Sequence, residues 1–494
     1  MKHLSFLLLL LIIALPATAS TKKKYPGARQ YVYRLSLADK KGTPYELQRP
    51  QRWLSHKSIE RRRRQGLEVD STDLPVSPSY LKILRTLKNA QIVGTSRWLN
   101  TVLLCTQDTT LLSNIREMEF IRQAELVWTS PDSLEPYVKW KYHEQFNTWD
   151  SIRGERYGNA KEQIESLQGH RLHNINLRGR GMTIAVIDGG FRNVHMIPAL
   201  RQAHIAGVRD FVMPIPKQSD DINGVPRLYF KTDHGTKVFS ALAANAPQVL
   251  MGSATEATYW LLCSEDQQSE QIIEEDYWVM AAEFADSVGV DIINSSLGYN
   301  EFDNPAQNHR LRDLDGNTSV ISRAASMLAH KGIILVNSAG NNGMGPWKKI
   351  CVPADAHDIL TVGALNLQLR NAPFSSVGPT QDGRVKPDVM AIGSPAALIT
   401  GRGTIIHDMG TSFATPLVCG LTACLWQALP DKTAMDIIEL IRQTSDNYAT
   451  PDNIYGYGRP NFWRAYMIGK ASPSPSQGGN VKASPGPYQG GGDR

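Results

Sequence analysis

Two textures divide the chain. From Tyr31 to about residue 130 the apolar positions come in short, interrupted groups, whereas beyond Arg156 they gather into unbroken runs. In the first stretch, Tyr31 to Leu37 alternates with the period of a half-buried strand. Ser79 to Lys88 carries Leu81, Leu84 and Leu87 on one helical face, and Thr109 to Met118 reads as a second helix. Gln91 to Gly94, Thr101 to Cys105 and Phe120 to Trp128 read as strands. The resulting order, β-α-β-β-α-β, is that of the split, ferredoxin-like unit. In the second stretch, Met182 to Ile187, Val290 to Ile293, Ile333 to Val336, Ile359 to Val362 and Val389 to Ile392 are short apolar runs. Such runs mark parallel strands covered on both faces. Helical patterns lie between them. Tyr277, Met280, Ala281, Phe284 and Val288 share a face within 271–288, and Val320, Ile321, Ala324, Ala325 and Leu328 do so within 318–331, with Gly332 as a C-cap. This alternation predicts a doubly wound α/β domain with a mainly parallel sheet over 156–470.

The ends of the chain read differently. Lys2 and His3 precede an apolar run from Leu4 to Leu15, and Ala17-Thr18-Ala19 supplies a small-residue cleavage pattern. This predicts a signal peptide over 1–19, cut after Ala19, and a secreted or periplasmic protein. The apolar run is short for a membrane span, and no later stretch reaches that length, so no stable span is expected once the signal is removed. Residues 20–150 then hold the first unit and a polar, aromatic connector. Residues 471–494 are rich in Pro, Gly and Ser and read as a disordered tail.

Charge adds little. Fifty-three basic and 47 acidic residues give a net +6 over 494 residues. No basic face interleaved with aromatics suggests nucleic acid. The run Arg61 to Arg64 reads as a solvated loop or helix face, with a cut site for a basic-specific protease as the sharper alternative. The five cysteines match no zinc spacing and are too few for a disulfide framework. Cys419 and Cys424 read as buried small hydrophobes.

Ligands of open α/β sheets bind at the C-terminal ends of the strands, and three candidates lie there. Asp188 ends the 182–187 run and is followed by Gly189 and Gly190. His234 opens an apolar helical run through Val238, Phe239, Leu242 and Ala243. Ser412 sits in Gly410-Thr411-Ser412-Phe413-Ala414-Thr415-Pro416, at the start of a helix running towards Leu429, with Pro416 expected in its first turn. Each alone reads as an ordinary loop or cap residue. Together they supply a nucleophile, a base that titrates near neutrality and an acid to orient the base.

The heptapeptide around Ser412 resembles the nucleophile signature of the subtilases, and the order Asp, His, Ser is the subtilisin order. Gly289 to Gly298, 336–341, 374–379 and 386–391 are similar to other blocks of that family. The resemblance covers roughly residues 156–466. It implies a secreted serine endopeptidase that hydrolyses peptide bonds through an acyl-enzyme on Ser412, with Asp188 and His234 completing the triad. Asn341 and the Ser412 backbone N–H would form the oxyanion hole. Ser296, Leu297, Gly298 and Gly340 would bind an extended peptide substrate. The N-terminal unit would be a prodomain that assists folding and inhibits the enzyme intramolecularly, cut somewhere between 128 and 156. Two departures stand out: Lys237-Val238-Phe239-Ser240 replaces a second histidine and an Ala-Gly pair, and Gly189 replaces Thr or Ser.

No cofactor or metal ligand is expected. Many subtilases hold structural calcium, and Asp313, Asp315 and Asn317 are spaced like oxygen ligands, but the full loop pattern is absent. The alternative reading is a catalytically weak or inactive peptide-binding pseudoprotease on the same fold. An esterase or lipase is disfavoured because Ala414 replaces the second glycine of the G-x-S-x-G elbow.

Overall fold

The computed structural model describes residues 23–134, 156–213, 221–222 and 224–471. The signal peptide, most of the connector and the C-terminal tail expected above lie outside the described residues.

The N-terminal unit contains β1 (Tyr31–Leu37), α1 (His56–Arg64), α2 (Pro78–Leu84), β2 (Ala90–Ser96), β3 (Thr101–Thr106), α3 (Leu111–Arg116) and β4 (Ile121–Thr129). Its four strands pair antiparallel in the order β2-β3-β1-β4. The second helix is shorter than the Ser79 to Lys88 pattern predicts. It ends at Leu84, the one leucine of its stripe that is fully buried.

The larger unit is built on β5 (Thr183–Asp188), β6 (His204–Asp210), α4 (His234–Ala243), β7 (Thr258–Cys263), α5 (Ile273–Val288), β8 (Ile292–Ser295), α6 (Val320–Met327), β9 (Ile334–Ser338), β10 (Leu360–Asn366), β11 (Val389–Ser394), α7 (Thr411–Ala428) and α8 (Ala434–Gln443). Seven strands form one parallel sheet in the order β11-β10-β9-β8-β5-β7-β6. Every residue of β5 is buried, as a run covered on both faces requires. The chain starts at β5, builds outward to β6 and β7, then returns to build β8 to β11 on the other side. The strand order therefore reverses between β5 and β8, where a crevice opens at the carboxyl ends of the strands. Gly332 caps the short helical turn after α6 with φ 78°. All five cysteines are free, and Cys419 and Cys424 are buried in α7.

The two units meet along α5, and the contact overturns the solvated reading of the arginine run. Arg61 and Arg62 are each 1% exposed. Arg62 reaches Asp286 and Asp73 at 3.0 Å, Arg61 pairs with Asp286, and Arg97 reaches Asp286 at 2.7 Å. Lys331 closes the network on Asp73 at 3.0 Å. Only Arg63 and Arg64 point outward. The physical reason is geometric: α1 lies on the C-terminal end of α5, so one face of the arginine run meets a protein surface that carries the matching carboxylate. Arg34 on β1 makes a second such pair with Asp276, at 2.6 Å. Gln65, just past α1, uses both ends of its amide. It donates to the Gly332 carbonyl at 2.9 Å and accepts from the Ala434 N–H at 2.8 Å.

Pro416 also differs from expectation. It is the sixth residue of α7, beyond the first turn. A proline there cannot donate to the carbonyl four residues back, that of Ser412. Ser296 supplies the missing donor, its hydroxyl bonding the Ser412 carbonyl at 2.9 Å.

Candidate active site

Asp188 is the last residue of β5 and is completely buried. His234 is the first residue of α4, and its Nδ1 lies 2.8 Å from Asp188 Oδ1 and 3.0 Å from Oδ2. That pairing fixes the proton on Nδ1 and leaves Nε2 as the acceptor. The Gly189 N–H donates to the same carboxylate at 2.7 Å. Gly235 makes the approach feasible, because a Cβ there would lie 2.4 Å from the Gly190 carbonyl oxygen and 3.0 Å from Asp188 Cβ. Burial acts to lower the His234 pKa, but the charge and hydrogen bond of Asp188 outweigh it and raise it above the ordinary histidine value.

Ser412 is the second residue of α7, where backbone N–H groups have no helical acceptor. Its own N–H has no hydrogen-bond partner among the described residues. Its hydroxyl donates to the Ser296 carbonyl at 3.2 Å. Ser412, His234 and Asp188 line one open cleft of about 430 Å³, together with Ser296, Leu297, Gly298, Gly340 and Asn341. All eight residues expected from the sequence are thus brought to one place, at the point where strand order reverses.

Asn341 is anchored through its carbonyl oxygen, which accepts from the Thr411 N–H at 2.9 Å and from the Thr411 hydroxyl at 3.0 Å. Its NH2 therefore faces away from Thr411. Gly340 has φ 106°, and a Cβ there would sit 3.0 Å from both Cys351 Sγ and Ser376 Oγ, so only glycine suits the position. The Leu297 carbonyl is already used, by Asn337 and Ser338 at 3.3 Å. Gly298 is exposed, and its N–H and C=O have no partner among the described residues.

The departure after His234 is absorbed by packing. Phe239 is fully buried edge-on against Tyr259 of β7, with ring centroids 5.0 Å apart. Lys237 pairs with Asp408 at 2.8 Å and lies over the Phe413 ring. Among the described residues no group of three or more His, Cys, Asp or Glu side chains could hold a metal ion. Asp313 and Asp315 instead cap local turns, accepting from the N–H groups of Arg310, and of Asn317 and Thr318. Among the cleft residues that the sequence reading did not single out are Glu265 and Glu270.

A family model described as the subtilase family matches residues 179–458. The chain belongs to the subtilase family. A second model, the peptidase S8 propeptide domain of Bacteroidota, matches residues 32–142. Among curated relatives, serine protease AprX of Bacillus subtilis (strain 168) is 30% identical over 332 residues, covering 61% of this chain and 68% of that protein. Subtilisin NAT of Bacillus subtilis subsp. natto is 28% identical over 320 residues, 64% of this chain and 74% of its own. Subtilisin of Bacillus pumilus is 28% identical over 306 residues, covering 61% and 97%. This subtilase is a serine-type endopeptidase with an N-terminal propeptide domain, and polypeptides are its substrates. No helix among its described residues is long and apolar enough to cross a membrane.

Proposed function

We propose that this subtilase cleaves peptide bonds through an acyl-enzyme on Ser412, with His234 as general base and Asp188 orienting it. The observation that carries the reading is the pairing of buried Asp188 with half-buried His234, opening onto the cleft that Ser412 shares. In the reaction the Ser412 hydroxyl leaves the Ser296 carbonyl, turns to His234 Nε2 and attacks the scissile carbonyl as its proton passes to the imidazole. Asp188 stabilises the imidazolium. The tetrahedral oxyanion is met by the Asn341 NH2 and the Ser412 N–H, each worth about 3–4 kcal/mol of transition-state stabilisation. His234 then returns the proton to the leaving amine, and water repeats the sequence on the ester.

The backbone of Ser296, Leu297 and Gly298, with the close-approach Gly340, supports binding of the substrate as an added strand. The Gly298 N–H and C=O are the groups best placed to pair with it. The N-terminal unit acts as an intramolecular inhibitor until the chain is cut between 128 and 156, and the signal peptide directs the protein to the periplasm or beyond. No cofactor is part of the mechanism, and we assign no calcium site.

The test is labelling of the purified mature protein with a fluorophosphonate, alongside casein hydrolysis. Labelling and hydrolysis should both vanish in Ser412→Ala. Wild-type protein that hydrolyses casein but labels elsewhere would sink the assignment. Because the imidazole must be neutral to accept a proton, kcat/KM should fall on the acid side, with a midpoint above the ordinary histidine value of about 6.5.

A further inference from the structure

The cleft carries a feature that peptide hydrolysis itself does not use. Glu265 and Glu270 line it beside His234. Glu265 follows β7 and Ser264, at the carboxyl end of a strand. Its carboxylate accepts from the Tyr299 and Ser264 hydroxyls. It lies close enough to His234 to favour the imidazolium. Glu270 is exposed on the same wall. Glu274, on the first turn of α5, stands with them. One of its oxygens accepts from the Asp266 N–H at 2.6 Å, and the other is buried with no hydrogen-bond partner among the described residues.

Among the described residues no Lys or Arg pairs with Glu265, Glu270 or Glu274. The charges that act most strongly on Glu265, Glu270 and Glu274 are one another, Asp188, Asp266 and Asp303. Desolvation first, and then these neighbours, push Glu265 up to about 8 and Glu270 up to about 7. Several other buried carboxylates are met by cations. Asp210 pairs with Arg227 and Lys231, Asp276 with Arg34, Asp286 with Arg61, Arg62 and Arg97, and Asp388 with Lys386 and Arg442. Crowded carboxylates without a counter-charge destabilise a fold. Here they stand where substrate enters.

We propose that this wall is a cation-recognising subsite, and that the enzyme prefers polypeptides with Lys or Arg on the acyl side of the scissile bond. The ammonium or guanidinium supplies the counter-charge to Glu265 and Glu270. The inference rests on the catalytic reading given above. An extended peptide paired with Gly298 sends alternate side chains to opposite sides. The preference therefore belongs to one position and not to its immediate neighbours.

The experiment uses fluorogenic peptides with Lys, Arg or norleucine at each of the four positions before the scissile bond. The mature protein should show a kcat/KM at least about tenfold higher for Lys or Arg than for norleucine at one of them. Glu270→Gln should cut that ratio at least about threefold, and Glu265→Gln/Glu270→Gln should bring it near one. Equal rates at every position, or a preference that survives the double variant, overturns the proposal. If loss of the Tyr299 bond keeps the double variant from folding, Glu270→Gln alone decides, because that side chain is exposed. Binding of the same peptides to Ser412→Ala, followed by fluorescence anisotropy, separates this from the catalytic reading. Tighter binding of cationic peptides without turnover in the wild type upholds the subsite and sinks the triad. Turnover of neutral peptides with no cation preference in rate or binding does the reverse.

Discussion

Glu274 and Asp286 lie on one helix, α5, about 18 Å apart along its axis. They are equally buried, at 1% and 0% exposure, and meet opposite electrostatic surroundings. Burial alone would raise the pKa of both. At Asp286, Arg62, Arg61 and Arg97 outweigh burial and hold the carboxyl well below the usual carboxylate range. At Glu274, burial is reinforced by Glu265 and Glu270, and the carboxyl is pushed well above it. Glu274 lies beside the cleft carboxylates Glu265 and Glu270, whereas Asp286 receives arginines of the N-terminal unit, as does Asp276 two residues past Glu274. On this helix the N-terminal unit brings arginines to Asp286 and Asp276, and among the described residues none pairs with Glu274.

Asp286→Asn should produce the largest change, because it strands three arginines at the junction between the units. A loss of about 3–5 kcal/mol is expected in urea unfolding. A loss below about 1 kcal/mol would mean that the arginines find water or other partners, and the contrast would dissolve. Next comes pH, where the two ends should respond with opposite sign. Asp286 has a depressed pKa in the folded state, so its contribution is present above the unfolded value of about 3.9 and is lost as pH falls through the folded value. Glu265 and Glu270 have raised folded values. Their contribution is present below about 4.3 and is lost as pH rises through about 7 for Glu270 and about 8 for Glu265. Unfolding free energy measured from pH 5 to 8 should accordingly slope less in Glu265→Gln/Glu270→Gln than in the wild type, while the acid limb stays unchanged.

Glu274→Gln should move stability by less than about 1 kcal/mol near neutral pH, since burial and the neighbouring Glu265 and Glu270 already disfavour its charge and the amide keeps the same shape. A loss as large as that of Asp286→Asn would show that Glu274 is ionised and paired. Smallest of all, Arg63→Ala, with its side chain 77% exposed one residue from Arg62, should stay within about 0.5 kcal/mol.

The parallel sheet was legible because its central strands are unbroken apolar runs, which few other structures permit. The edge strand His204–Asp210 was not, since it is exposed at alternate positions and interrupted by Gly207. Thr258–Cys263 did carry the signal, a short run of strand-forming residues that is almost wholly buried. The candidate site was readable because the heptapeptide around Ser412 and the order Asp188, His234, Ser412 resemble those of a family, although each residue alone reads as an ordinary loop or cap. Arg61 and Arg62 were misleading for a reason that no local pattern can remedy. The partner that buries Arg61 lies 225 residues further along the chain. Glu265 and Glu270 were not singled out, although Glu265 stands two residues past the end of a sheet strand, where ligands of such folds collect.

Gln65 gives the docked unit a hold on two separate places at once. Its amide occupies a carbonyl at the end of one turn and an N–H at the start of another helix, so removing the unit bares both together. Any maturation that discards it must hydrate those groups in the same event, and a partly detached unit, still gripping one of them, would be the slowest species to leave.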